Sequence, residues 1–381
     1  MDEPNRPPLL FSITDTIKDI PKTDWEELFE DVIEGYGYQK TLEEARLKEF
    51  SFGYLVGKRN NNFNAIFPFF IMDFYFETLI QGPLHCIIKR LRSFLGMRVL
   101  FLGSPTSEEF YLGISKEENL TWVLDKALEE LLKICKKNKI SGITFYNLSE
   151  KNTTLGKYLS EKGFFKMESL PGTLLKINAD SLEGYINSLS KNTRKDLRKK
   201  LKRSSSEVKL TTEIREDVSD ISQDIYKLYL NNFNGSDVHF EVLTLDFFKN
   251  ICRNMPGVAK YFITRDREKI VSFNLCLTKG DLCIDKFVGF EPAVSHKYHL
   301  YYTTFCHNID WCIKNGFRFY QPGATDYHPK LRLGAKLIPL FIYAKALNPV
   351  LNSFLKLIAK FIEPKNLDDD LRDYRKFNWV G

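Results

Sequence analysis

The run from Cys283 to Gln321 constrains this chain most. CIDKFVGF, Cys283–Phe290, reads as an apolar strand, EPAVSHKYH as an irregular loop over Glu291–His299, Leu300–Lys314 as a helix, and RFYQ as a return strand over Arg318–Gln321. The helix is predicted by Tyr302, Phe305, Cys306, Ile309 and Ile313, which recur at three and four residues, with Asn315 and Gly316 to close it. Strand, helix and parallel strand make one βαβ unit. The helix N-terminus beside its loop presents unpaired N–H groups suited to an anion such as phosphate. A mixed α/β fold class follows.

A chain of 381 residues, 43% of them hydrophobic, can bury a large interior, and its length predicts two domains. The expected halves are 1–177 and 178–362, followed by a tail over 363–381. The seven cysteines form no Cys-x-x-Cys pair, so neither a disulfide framework nor a cysteine zinc site is expected. His296 and His299 stand three apart with no third ligand nearby, so no metal is expected there either. The opening residues lack a basic region followed by an apolar run, and no apolar stretch reaches the roughly 18 residues of a membrane span, which predicts a cytoplasmic protein.

The net charge of +6 is local: Lys191–Arg203 holds eight Lys or Arg and one Asp, a sum of +7, leaving −1 for the rest. Arg194, Arg198 and Lys202 fall at four-residue steps on one face of a predicted helix within 189–203, with Lys191 and Lys195 adjoining. Such a face suits the phosphates of a nucleotide-linked substrate, of tRNA or of an anionic membrane, and equally suits plain solvation.

Before the basic helix, an acidic helix is expected over Asp24–Glu34, then strands Phe50–Gly57 and Asn64–Phe76 about a turn at Arg59–Asn62. A basic stretch at Lys89–Arg92, strand Met97–Gly103, helix Asn119–Asn138, strand Gly142–Asn147, helix Thr154–Gly163 and strand Gly172–Ile177 follow. After it come a helix at Ile221–Phe233, the segment Leu243–Ile251 and three strands, AKYFITR, IVSFNLCLTK and LCIDKFVGF. The similar element order of the halves points to a duplication without a residue-level repeat. Beyond Asn348 and Pro349, Val350, Leu351, Phe354, Leu355, Leu357, Ile358, Phe361 and Ile362 share one broad helical face, fit either to pack on their own domain or to lie on a bilayer.

PGATDYHPKLRLGAKLIP, Pro322–Pro339, carries a further pattern: Pro322-Gly323-Ala324, then His328-x-Lys330, Gly334 and Pro339. Together with the helix entered through Leu300, Tyr301 and Tyr302, its Asn315-Gly316 stop, and LSKNTRKDLRKKLKR upstream, this resembles the Fem-like branch of the GNAT acyltransferase superfamily, which includes CelD-like acetyltransferase domains and a peptidoglycan biosynthesis/recognition group. The resemblance implies tandem GNAT-like acyl-CoA N-acyltransferase domains. It also implies direct attack by an amine on a thioester or ester carbonyl, with the oxyanion N–H supplied by strand Cys283–Phe290. Acyl-CoA is the expected co-substrate. The acceptor is a small molecule or cell-envelope precursor with a free amine, reached by a cytoplasmic enzyme that can touch the inner face of the membrane. Common GNAT enzymes wrap the coenzyme A pyrophosphate with a glycine-rich loop, however, and this chain has no glycine between Gly289 and Gly316. Fem-type peptidoglycan aminoacyltransferases, whose donor is aminoacyl-tRNA, stand as the alternative, and a non-catalytic binder of cell-wall or lipid precursors as another.

Candidate residues divide by role. Asp285, in an apolar strand, is a candidate base because burial raises a carboxyl pKa, or else a structural Asp paired with Lys286 or Lys330. His299 is a candidate proton relay, or a polar cap. The resemblance adds Lys330 as the third catalytic candidate, Tyr301, Tyr302, Gly323, His328 and Arg332 toward the acyl carrier, and Asp326 beside Arg194, Arg198 and Lys202 toward the substrate. No Gly-x-Ser-x-Gly elbow is present, and the expected chemistry needs no covalent intermediate on the protein.

Overall fold

The computed structural model of the protein describes residues 6–75, 96–235, 242–359 and 371. The expected basic stretch Lys89–Arg92 and, apart from Leu371, the tail 363–381 lie outside the described residues. The chain forms two compact units. Of the described residues, one takes those up to Glu43, Lys48–Pro171 and Pro339–Ala359; the other takes Glu44–Leu47 and Gly172–Ile338.

The first unit is built on a mixed sheet of strands β1 (Leu10–Thr14), β2 (Ser51–Arg59), β3 (Asn62–Tyr75), β4 (Gly96–Leu102), β5 (Gly113–Ile114), β6 (Gly142–Ser149), β7 (Phe165–Glu168) and, from the far end of the chain, β15 (Leu340–Ala346). Their order is β1-β2-β3-β4-β6-β15-β7, with β5 on β3. Asn60 and Asn61 take the left-handed conformations, φ 50° and 67°, that a tight β2–β3 hairpin requires. Helix Leu120–Lys137 starts where the Asn119 side chain accepts the Trp122 N–H at 3.0 Å, and it buries Val123, Leu124, Ala127, Leu131, Ile134 and Cys135. The parallel β4–β6 ladder ends at Leu102 and Phe145. Just beyond, the Phe110 N–H donates to the Asn147 carbonyl at 2.8 Å and the Phe110 ring packs 5.6 Å from that of Phe145.

The expected acidic helix over Asp24–Glu34 is shorter, Lys22–Leu28. Glu34 instead turns inward, accepting the Glu108 N–H at 3.0 Å and the Tyr111 hydroxyl at 2.7 Å. The final helix, Pro349–Ala359, divides the single apolar face expected of it. Leu355 and Ala359 are buried, whereas Val350, Phe354 and Leu357 are 80%, 56% and 57% exposed. No described helix is long and apolar enough to cross a membrane.

The second unit holds β8 (Gly172–Lys176), β9 (Leu210–Arg215), β10 (Ala259–Asp266), β11 (Lys269–Lys279), β12 (Leu282–Phe290), β13 (Phe319–Gln321) and β14 (Lys336–Ile338), in the order β14-β8-β13-β12-β11-β10-β9. The expected division at 177/178 put β8 with the first half and Leu340–Ala346 with the second. Pairing reverses both: β8 joins β13 and β14, and β15 joins β6 and β7. Strand β11 is buried from Ile270 to Thr278, as its nearly continuous apolar run requires of a strand covered on both faces. Helix Leu300–Lys314 matches its predicted bounds, and Leu300, Phe305, Cys306, Ile309 and Cys312 form its buried face.

Gly289, near the end of β12, lies against helix Ser222–Asn234. A Cβ there would stand 2.5 Å from the Phe273 ring and 2.6 and 2.7 Å from the carbonyl carbon and oxygen of Leu228. A backbone carbonyl cannot swing aside as a side chain can. Gly289→Ala is therefore expected to cost about 2 kcal/mol, the scale of overpacking, in urea unfolding. Unchanged stability would mean that the helix can retreat from the strand.

Candidate functional site

Asp285 is the first residue beyond a parallel ladder. Strands β12 and β13 pair at Leu282–Phe319, Cys283–Tyr320 and Ile284–Gln321 and then stop, and no strand among the described residues pairs with the next stretch of β12 on that side. On its other side, β11 pairs Leu275 with Phe287 but Cys276 with Asp285, so Lys286 is an extra residue and the strand bulges. Strand separation and a bulge together re-aim the side chains just after Ile284.

The Asp285 carboxylate gathers donors from three elements. Its Oδ2 accepts the Tyr320 hydroxyl of β13 at 2.6 Å, the Asn274 amide of β11 at 2.8 Å and the Asn308 amide of the Leu300–Lys314 helix at 3.4 Å. Its Oδ1 faces the Cys276 thiol at 3.9 Å. Burial pushes this carboxyl up to about 6, while Tyr320, Asn274, the Lys330 ammonium and Asn308 restrain the rise. The residue nonetheless keeps part of its surface accessible. A carboxylate of this kind is ionised at neutral pH and close enough to it to take up a proton.

Lys330 is 6% exposed and donates to the carbonyl oxygens of Gly323, Ala324 and Thr325 at 3.2, 2.9 and 2.7 Å. It thereby gathers a loop whose backbone is left-handed at Gly323, Thr325 and Asp326, with φ of 76°, 65° and 46°. Gly323 comes so close to β12 that an added Cβ would lie 3.6 Å from the Asp285 carbonyl oxygen, and its own carbonyl also accepts the Thr173 hydroxyl. The lysine singled out by the resemblance thus shapes the rim beside Asp285, and its charge reaches the carboxylate as a field.

Tyr301 belongs to the same neighbourhood. Its hydroxyl is buried without a hydrogen-bond partner, and burial followed by the charges of Asp285 and Asp326 holds its pKa well above the usual phenol range. Tyr302 turns elsewhere, with the Lys200 ammonium 3.7 Å from its ring centroid. His299 is the left-handed residue before the helix, φ 49°, and its carbonyl accepts the N–H groups of Tyr302 and Thr303. Burial and then the charges of Lys200, Arg203 and His296 lower its pKa, so it is neutral near pH 7. Asp326 and His328 are exposed at the short helix Tyr327–Arg332, and Arg332 pairs with Asp196 at 3.1 Å.

The basic helix runs over Lys191–Glu207 and buries Thr193, Leu197 and Ser204. Two of its three arginines are engaged: Arg194 donates to the carbonyls of Asn187 and Leu189 at 2.7 and 3.3 Å, and Arg198 binds Glu183 and the Asn187 side chain. The expected trio of Arg194, Arg198 and Lys202 is therefore divided, two of its members fastening the preceding helix, Leu182–Ser188. Lys191, Lys195, Lys199 and Lys202 are exposed and, at steps of four, four and three residues, line the side of the helix opposite its buried stripe.

Asn274, Asn308 and Tyr320 were not among the residues singled out from the sequence. Their signal was present as an asparagine inside the apolar run IVSFNLCLTK and another inside the apolar repeat of the helix, each a polar group that burial obliges to find a partner. Among the described residues no group of three His, Cys, Asp or Glu could hold a metal ion.

The fold is shared with solved structures of low sequence identity. FemX matches with a TM-score of 0.51 at 13% identity, covering 83% of this chain and 93% of its own. A tandem GNAT protein from the clavulanic acid biosynthesis pathway matches with a TM-score of 0.53 at 9% identity, covering 90% and 99%. The C-terminal domain of a protein assigned as a lysylphosphatidylglycerol synthetase from Agrobacterium fabrum gives 0.52 at 15% identity, covering 89% and 96%. These likenesses show a tandem GNAT-like fold. No curated protein sequence matches the chain. The FemAB-like family, described as peptidoglycan biosynthesis/recognition, matches residues 108–368, well over half of the sequence, and the chain belongs to that family.

Proposed function

We propose that the protein is a transferase that moves an acyl or aminoacyl group from an activated carrier to the amine of a cell-envelope precursor, at the point where β12 and β13 part. The observation that carries this reading is Asp285, a carboxylate placed one residue past the last paired position of a parallel ladder and held by Tyr320, Asn274 and Asn308, where burial pushes it up to about 6. The amine attacks the carbonyl carbon, a C–N bond forms, and the carrier's C–O or C–S bond breaks. Asp285 takes the proton the amine gives up, the stretch of β12 past the end of its ladder with β13 offers N–H groups to the developing oxyanion, and the departing oxygen or sulfur is protonated in turn.

For the donor, the geometry supports aminoacyl-RNA over coenzyme A. The loop Glu291–His299 is held by its own side chains: Glu291 pairs with Lys269 at 2.7 Å, Lys297 with Glu207 at 3.1 Å, and the Tyr298 hydroxyl donates to Asp266 at 3.0 Å. A loop so engaged is poorly suited to wrap a pyrophosphate. The four exposed lysines of the basic helix suit a longer polyanion.

Donor and acceptor are tested together. Radiolabel should pass from aminoacyl-tRNA to an amine-bearing envelope precursor, vanish after ribonuclease treatment, and fall with salt at a log–log slope of about −3, as four phosphate contacts require. Release of free thiol from acyl-CoA, insensitive to ribonuclease, would reverse the donor assignment. Binding of precursor with no transfer from either donor would make the protein a binder and remove the proposal.

A further inference from the structure

We infer that Tyr320, Asn274 and Asn308 are positioning residues that turn the Asp285 carboxylate so that Oδ1 is the atom left to take the proton. The inference rests on the base role proposed above.

Three donors from β13, β11 and the helix all meet on Oδ2, at 2.6, 2.8 and 3.4 Å. An oxygen saturated with donors has no room for a hydrogen of its own, since a proton there would point into N–H or O–H groups. Among the described residues Oδ1 has only the Cys276 sulfur at 3.9 Å, a long and weak contact. Protonation therefore falls to Oδ1.

The asparagines show what the arrangement gives up to achieve this. The Oδ1 atoms of Asn274 and Asn308 are buried with no partner. Flipping either amide would turn a carbonyl against the carboxylate, so both amides keep their nitrogens toward Asp285 and leave their oxygens unsatisfied. A network arranged for stability alone would satisfy those oxygens. The amide of Asn308 also donates to the Tyr320 oxygen at 3.2 Å, which fixes the phenol so that its hydrogen goes to Asp285.

The titratable groups facing Asp285 are Cys276 on β11, Cys283 on its own strand, Tyr301 and Cys312 on the helix, Tyr320 on β13 and Lys330 beyond it. The thiols and phenols are all pushed upward and stay neutral through the working range, so Lys330 is the one full charge among these six.

The test is a pH titration of the full chain carrying carboxyl-labelled aspartate, read by carbon-13 NMR beside the pH profile of transfer. In the parent, one carboxyl should titrate at about 6. Tyr320→Phe removes the shortest bond to the charged form, so the midpoint should rise by about one unit. Asn308→Leu, which removes a longer bond, should raise it by less. The acid limb of the rate profile should move by the same amounts, and the rate at its alkaline plateau should fall, because a carboxylate no longer held through Oδ2 presents Oδ1 less often. A midpoint that stays put in both variants overturns the inference. A midpoint that moves while the acid limb does not upholds the network but defeats the base assignment, so the two failures are distinguishable.

Discussion

Asp285→Asn is expected to lower the transfer rate by about a hundredfold to ten-thousandfold, the range a general base supplies, without unfolding the second unit. Asparagine is nearly isosteric: its carbonyl oxygen can occupy the place of Oδ2 and keep the donors Tyr320, Asn274 and Asn308, while its amide replaces Oδ1 beside Cys276. What it cannot do is accept a proton. Stability should move in the opposite direction to rate. The parent carboxyl is raised from 3.8 to about 6, so between those values the folded state binds a proton that the unfolded state has released. Stability is then lost as pH rises through this window, and above it the buried carboxylate destabilises the fold by about 3 kcal/mol at most. Asparagine escapes that penalty, so the variant's urea midpoint should equal or exceed the parent's near neutral pH, with the advantage gone below about pH 4. Near-parental turnover in this variant would exclude Asp285 as the base.

What could be read from the sequence was local. The helix Leu300–Lys314 showed in its three- and four-residue repeat, and β12 in an apolar run ended by a loop, because these patterns depend on one face meeting one core. Asp285 stood out because a carboxylate in such a run must be paired, raised or exposed. The exchange of β8 and β15 between the units was not legible. Strand patterns report burial and alternation but not the identity of the neighbour, and β15 pairs with β6 from about two hundred residues earlier. The basic helix was legible as a helix, but not which of its cations hold the fold and which face outward. Spacing put Arg194, Arg198 and Lys202 on one face, but only the tertiary fold shows that Asn187, Leu189 and Glu183 claim the two arginines. The end of the β12–β13 ladder just before Asp285 is a property of two strands diverging in space, and neither strand records it alone.

Lys330 offers the sharpest division between a structural and a chemical role. Lys330→Ala removes a buried ammonium from the carbonyls of Gly323, Ala324 and Thr325. Those carbonyls belong to a turn already strained by left-handed backbone at Thr325 and Asp326, so water must enter or the turn must open. The expected loss is about 3 kcal/mol in urea unfolding, the scale of stranding groups that bonded a buried charge. Transfer should fall as well, because Gly323 packs beside the Asp285 carbonyl and because the ammonium's field helps keep that carboxyl from rising further. Lys330→Met separates the stem from the charge: it keeps most of the packing, and if the clamp is the main role it should lose nearly as much stability as Lys330→Ala. Should either variant instead keep parental stability and lose only turnover, the ammonium is a contact for the carrier or the acceptor, as the family resemblance implies, and the turn holds its shape without it. Should both stability and turnover survive, neither role stands, and other contacts, the Thr173 hydroxyl on the Gly323 carbonyl among them, must fix the left-handed turn.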